Sequence, residues 1–183
     1  MTTPQVAEGR MTGGRLTIHG KRLVAKSMYA KGKGFLGAAI LLRQEGGYEY
    51  VALHLICQGI EITLKALLLL GAYDTYMPKL KTLHHNLEAL VSVVLAEFKL
   101  HALPSGPATE LHGLNSLYRS HRLRYGSFYD VLVDPVTIPS GRVLRRMAAV
   151  LRLAERHLAS RPPSSSGLAR PGAASAAQPD REA

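Results

Sequence analysis

Apolar residues return every three or four positions along most of the chain, and the strict alternation of a half-buried strand is nearly absent. Five helices are expected. The first runs from about Lys21 to Glu45, strongest over "GAAILLRQ" and weakened in its middle by Gly32, Gly34 and Gly37. Gly46-Gly47 then breaks the chain. The second helix spans about Tyr48 to Leu70; Gly71 ends it, and "AYDTYMPKLK" forms a loop. The third begins near Thr82 in "TLHHNLEALVSVVLAEF" and fades before "LPSGP". A fourth runs from about Ala108 to Gly126. After the irregular "SFYDVLVDPVTIPS", a fifth runs from about Ser140, a suitable N-cap, to Ala159. The fold class this predicts is all-α, an up-and-down antiparallel bundle of four to five helices.

Three of these helices carry a readable division of faces. On the second, His54, Gln58, Glu61 and Lys65 fall in one narrow sector of an otherwise apolar surface, which predicts a central helix with a single polar seam. Glu61 and Lys65, four apart with the acid first, are placed to pair. On the fourth, Leu114, Leu117, Tyr118, His121 and Tyr125 share the inward face, with Arg119 and Arg122 opposite and Arg124 at the border. His121 and Tyr125, with His85 at the start of the third helix, are expected to be structural or interface residues. On the fifth, Arg142, Arg145, Arg146, Arg152 and Arg156 lie within about 120°, opposite Val143, Leu144, Met147, Val150, Leu151, Ala154 and Leu158. At 1.5 Å per residue that row extends about 21 Å, long enough to follow several phosphates.

Charge sharpens this reading. The 183 residues carry a formal net charge of +10, so an anionic partner is expected: RNA, a nucleotide or an acidic protein surface. Residues 1–20 are expected to be a flexible segment and 21–160 one helical domain. Residues 161–183, rich in Pro, Ser, Gly and Ala, are expected to be a disordered tail. Cys57 is the only cysteine and sits in an apolar run, the pattern of a small core residue in a reducing compartment. No secretory signal is legible, and the longest apolar runs, "FLGAAILL" and "ALLLLGAY", are too short to cross a bilayer. The expectation is a soluble, cytoplasmic protein with no membrane contact.

The pattern "GGYEYVALHLICQGIEITLKALLLLGA" resembles the second helix of HEPN domains: an aromatic after a turn, then Q-x-x-E-x-x-L-K-A-L-L. Here the letters are Tyr48, Gln58, Glu61, Leu64, Lys65, Ala66, Leu67 and Leu68. The family's following H-x-L-x-x-L looks like His85, Leu87 and Leu90, and its late R-Y pair looks like Arg124 and Tyr125. The likeness covers about Lys26 to Leu158. It implies a HEPN-like bundle that forms a homodimer, associates with RNA or nucleotides, and works beside a nucleotidyltransferase or an antitoxin protein. Some relatives are metal-independent ribonucleases marked by R-x(4–6)-H, with the arginine on the phosphate and the histidine on a hydroxyl or leaving group.

Arg152 and His157 satisfy that spelling, but their side chains lie about 140° apart on a helix and the position after the arginine is Leu153. The leading expectation is therefore a non-catalytic HEPN-like module. Its RNA or nucleotide contacts would be Arg119, Arg122, Arg124, Arg142, Arg145, Arg146 and Arg156. A toxin-like endoribonuclease using Arg152 and His157 across a dimer is the alternative, and a protein scaffold without nucleic acid the third reading. No cofactor or metal is expected: His84-His85 has no partners at ligand spacing, "GKGFLG" lacks the phosphate-loop spacing, and neither G-x-S-x-G nor H-E-x-x-H occurs.

Overall fold

The computed structural model describes residues 16–125 and 131–160. Among them every regular element is helical: α1 (Ile18–Gln44), α2 (Glu49–Tyr76), α3 (Leu80–Leu83), α4 (Leu87–Glu97), α5 (Ser105–Arg119), a 3₁₀ turn at Pro135–Thr137, and α6 (Gly141–Ser160). The expected tail, most of the N-terminal segment and part of "SFYDVLVDPVTIPS" lie outside the described residues. At the N-terminal end the boundary moves: α1 already begins at Ile18, because the Thr17 hydroxyl caps it by accepting from the Gly20 amide at 3.1 Å.

The central rod is α2. Tyr50, Leu53, Ile56, Ile60, Leu64, Leu67 and Leu68 are each at most 2% exposed, and they point in several directions around the helix. Cys57 is among them, fully buried, and burial pushes its thiol upward. Gly71 does not stop the helix. The backbone breaks at Ala72 (φ −155°, ψ 79°) and helix resumes to Tyr76. Continuous in this way, α2 is long and apolar enough by length and composition to cross a membrane, which neither shorter run suggested; 61% of its apolar 18-residue window is buried inside the fold.

Contacts between α1 and α2 pair Lys21 with Asp74, Gly32 with Thr63, Leu36 with Gly59 and Arg43 with Glu49, so the two helices are antiparallel. Gly32 and Gly59 set their separation. A Cβ on Gly32 would lie 2.6 Å from Thr63 Cγ2, and one on Gly59 2.7 Å from Leu36 Cγ. Gly32 thus serves close approach, whereas Gly34 and Gly37 face open space. Helix α6 packs antiparallel to α1 as well: Arg43 donates to Ser140 at 2.9 Å, and Tyr29 to Glu155 at 2.7 Å.

The up-and-down expectation fails at α4. Residues 77–86 fold back along α2, bringing His85 to Glu61, while Glu97 at the other end of α4 meets Tyr76. Those pairs ascend together, so α4 runs alongside α2 in the same direction. The return explains why the predicted third helix is split: α3 is a single turn, and α4 starts afresh at the Asn86 cap, whose side chain accepts from Ala89 at 3.1 Å.

Candidate functional site

The seam of α2 converges on Glu61. Its residue surface is 6% exposed, and its carboxylate accepts from Lys65 Nζ at 2.5 Å, from His85 Nδ1 at 2.9 Å and from Tyr118 Oη at 2.7 Å. Burial alone would raise this carboxyl; the hydrogen bonds from Lys65, His85 and Tyr118 outweigh it and hold the group below the ordinary carboxylate range. The same contact pushes Tyr118 upward, through burial first and then the bond to Glu61. Lys65 also donates to the His84 carbonyl at 3.0 Å, tying the linker before α4 to the rod.

His54 extends the seam by two turns. Its ring stands 5.8 Å from that of Tyr118, with Gln58 in hydrogen-bonding reach, and its buried Nδ1 has no hydrogen-bond partner among the described residues. Desolvation, and next the positive Arg124, lower its pKa. The four predicted seam residues are therefore brought together. Tyr118, assigned only to an apolar face, belongs with them.

The end of α5 departs from the sequence reading. The helix stops at Arg119, and the chain leaves through a Schellman turn: the amide of Arg122 donates to the Leu117 carbonyl at 3.1 Å and that of His121 to Tyr118 at 3.2 Å, with His121 at φ 59°. The helical wheel no longer applies beyond Arg119. His121 is exposed rather than inward, and Tyr125 is 68% exposed rather than packed at a helix end. The turn instead stacks a small aromatic ladder. The His121 ring lies 6.0 Å from His85 and 6.5 Å from Tyr125, and the His85 ring lies 5.4 Å from Tyr118. Between this turn and residues 82–86 opens a cleft of about 340 Å³, lined by His84, His85, Arg119 and His121 among others. Leu123, inside the basic run, is buried, while Arg119, Arg122 and Arg124 are exposed.

On α6 the predicted division of faces holds in the main. Val143, Met147, Val150 and Ala154 are buried, and Arg142, Arg145, Arg152 and Arg156 are exposed. Arg146 departs from the row: it is half-buried, and its Nε is buried without a hydrogen-bond partner among the described residues. Arg142 lies 3.7 Å from Glu110. The one acid of α6, Glu155, is turned toward Tyr29 on α1. No carboxylate among the described residues pairs with Arg145, Arg152 or Arg156.

The first turn of α6 is capped from a distance. The Arg142 and Val143 amides donate to Glu110 Oε2 at 2.7 and 2.9 Å, while the Ser140 hydroxyl accepts from Arg43. Ser140 therefore precedes the helix as expected, but α5 supplies the acceptor. Arg152 and His157 do not converge within the chain: Arg152 stands in the exposed row, and the His157 ring meets Phe98 edge-on at 5.6 Å. Among the described residues no group of three or more His, Cys, Asp or Glu is arranged to hold a metal ion.

Comparison of the chain with protein-family models, with curated proteins and with solved structures finds no match.

Proposed function

We propose that this protein is a non-catalytic, HEPN-like helical module that binds RNA through the outer face of α6. The observation that carries the reading is the exposed row Arg145, Arg152 and Arg156, which no carboxylate among the described residues neutralises. An arginine held without an acid partner keeps its guanidinium donors for phosphate oxygens. The net charge of +10 adds long-range attraction to a polyanion. Arg152 and His157 do not meet within one chain, so cleavage would need a second copy to bring both groups to one phosphate, whereas binding by the arginine row needs none. The HEPN-like pattern of α2 extends the proposal to a cytoplasmic homodimer acting beside a nucleotidyltransferase or an antitoxin.

Fluorescence anisotropy with a labelled single-stranded RNA tests it. Affinity is expected to fall with salt, with a log–log slope of about −2 for three phosphate contacts on a single strand. Replacing Arg145, Arg152 and Arg156 by Ala is expected to abolish most of that slope. Binding that the triple variant leaves intact removes the α6 face from the proposal; RNA cleavage in chelator that His157→Ala abolishes replaces the binding reading with the ribonuclease one.

A further inference from the structure

Among the described residues, two of the three non-glycine positions held at positive φ, His84 (φ 35°) and His121 (φ 59°), line the same cleft. The third, Lys99, merely closes α4. His121 is explained by the turn that ends α5. His84 has no such account: its ψ of −135° places it outside the left-handed helical region, and Lys65 fixes its carbonyl from below. Backbone held in a sparsely populated region costs energy and tends to mark a site that needs the resulting shape.

We propose that this cleft is an anion site that takes a phosphate group, as inorganic phosphate or as the terminal phosphate of a nucleotide. Its described lining combines Arg119 and three histidines with Thr82, Asn86 and the apolar Leu83. Glu61 accepts from His85 Nδ1 and the ring stands against Tyr118, so His85 shapes the wall, while the donors offered to an anion are those of Arg119 and His121. His121 faces His85 at 6.0 Å between ring centroids, and Arg119 also lines the cleft. Among the described residues no carboxylate lines the cleft. Glu61, which touches the lining residue His85 from behind, has both oxygens engaged by Lys65, His85 and Tyr118. A cation entering beside Arg119 would meet repulsion, whereas an anion would find the Arg119 guanidinium and the His121 imidazole without displacing an ion pair. A volume of about 340 Å³ accommodates a phosphate with part of a nucleoside. This site is separate from the α6 face, and neither proposal needs the other.

Inorganic phosphate titrated into the full chain, at constant ionic strength with chloride as the balancing ion, tests the assignment. Calorimetry should give saturable one-site binding, and NMR should show the His85 and His121 ring signals moving together. Arg119→Ala should weaken binding about tenfold, the loss expected for one charge-assisted contact. His121→Asn should do the same, because asparagine tolerates the positive φ and removes only the imidazole. The Arg145, Arg152 and Arg156 alanine variant should bind phosphate unchanged, which separates this site from the RNA face. A nucleoside 5′-monophosphate that binds more tightly than phosphate assigns the site to nucleotides; equal or weaker binding assigns it to the free ion. Absence of binding at millimolar phosphate overturns the proposal. So does unchanged affinity in both Arg119→Ala and His121→Asn, or movement of the histidine signals by Zn²⁺ but not by phosphate.

Discussion

Tyr118 on α5 donates its hydroxyl to Glu61 on α2 at 2.7 Å, across 57 residues of chain and in a buried setting. With Lys65 and His85 on the same carboxylate, this bond pins the rod, the linker before α4 and the end of α5 to one another. Removing one member of such a set leaves the others desolvated. Glu61→Leu is expected to cost about 3 kcal/mol, because Lys65 would remain half-buried without its partner. Tyr118→Phe should cost about 1–2 kcal/mol, since a hydrogen bond is lost to an anion that keeps two others. Urea unfolding followed by far-UV circular dichroism measures both; a loss below 1 kcal/mol for Glu61→Leu would show that the carboxylate is not a structural anchor.

Acid should weaken the fold in two steps with separable origins. His54 is lowered from 6.5 by desolvation and by Arg124, so the unfolded chain takes up this proton before the folded one does. Its contribution is fully present above about pH 6.5 and is lost as pH falls from there toward the folded value. Glu61 is lowered from 4.5, so its contribution is present above that value and is lost as pH falls through its lower folded pKa. The groups facing His54 are Gln58, Tyr118, His85 and Arg124, and none is a carboxylate. His54→Gln should therefore flatten the stability profile below pH 6.5 while leaving the later fall, below pH 4.5, in place. A profile identical to that of the unsubstituted chain in urea melts from pH 7 to 5 would refute the assignment.

Much of the seam was legible because it is local. His54, Gln58, Glu61 and Lys65 lie on one helix whose continuity was clear, and an acid four residues before a lysine is enough to anticipate their ion pair. The partners from elsewhere were not legible: His85 and Tyr118 reach Glu61 only through the return of residues 77–86 and the packing of α5. Helix ends were read by glycine, and that signal misled in both directions. Gly46, at φ 69°, does close α1 through a Schellman turn, but the same turn closes α4 at Lys99 and α5 at His121. Gly71 lies inside α2. The wheel drawn through His121 failed for that reason, whereas the wheel on α6 survived because no such turn interrupts it.

Four glycines on two helices should divide cleanly by what faces them. Gly32→Ala would bring a methyl within 2.6 Å of Thr63, and Gly59→Ala within 2.7 Å of Leu36. Each is expected to destabilise by about 1–3 kcal/mol, since overpacking outweighs the gain in helix propensity. Gly34→Ala and Gly37→Ala meet nothing within 4 Å and should stabilise by up to about 1 kcal/mol. Thermal unfolding of the four single variants checks the division, and a loss at Gly34 or Gly37 comparable to that at Gly32 would contradict the close α1–α2 contact.

The cap of α6 offers a sharper contrast, because the residue that looks like the cap is not the one that accepts the amides. Glu110 is 8% exposed and receives the N–H groups of Arg142 and Val143, donors that would otherwise be left unsatisfied at the start of the helix. A carboxylate there also meets the positive end of the helix dipole. Glu110→Ala is expected to cost about 2 kcal/mol, the upper end for loss of a cap, because two bonds to an anion disappear together. Ser140→Ala loses only the hydroxyl that accepts from Arg43, and Arg43 keeps Glu49. It should cost about 0.5–1 kcal/mol. Hydrogen exchange at the Arg142 and Val143 amides distinguishes the two: it should accelerate in Glu110→Ala and stay slow in Ser140→Ala. The opposite order would return the cap to Ser140 and sever the link between α5 and the helix that carries the arginine row.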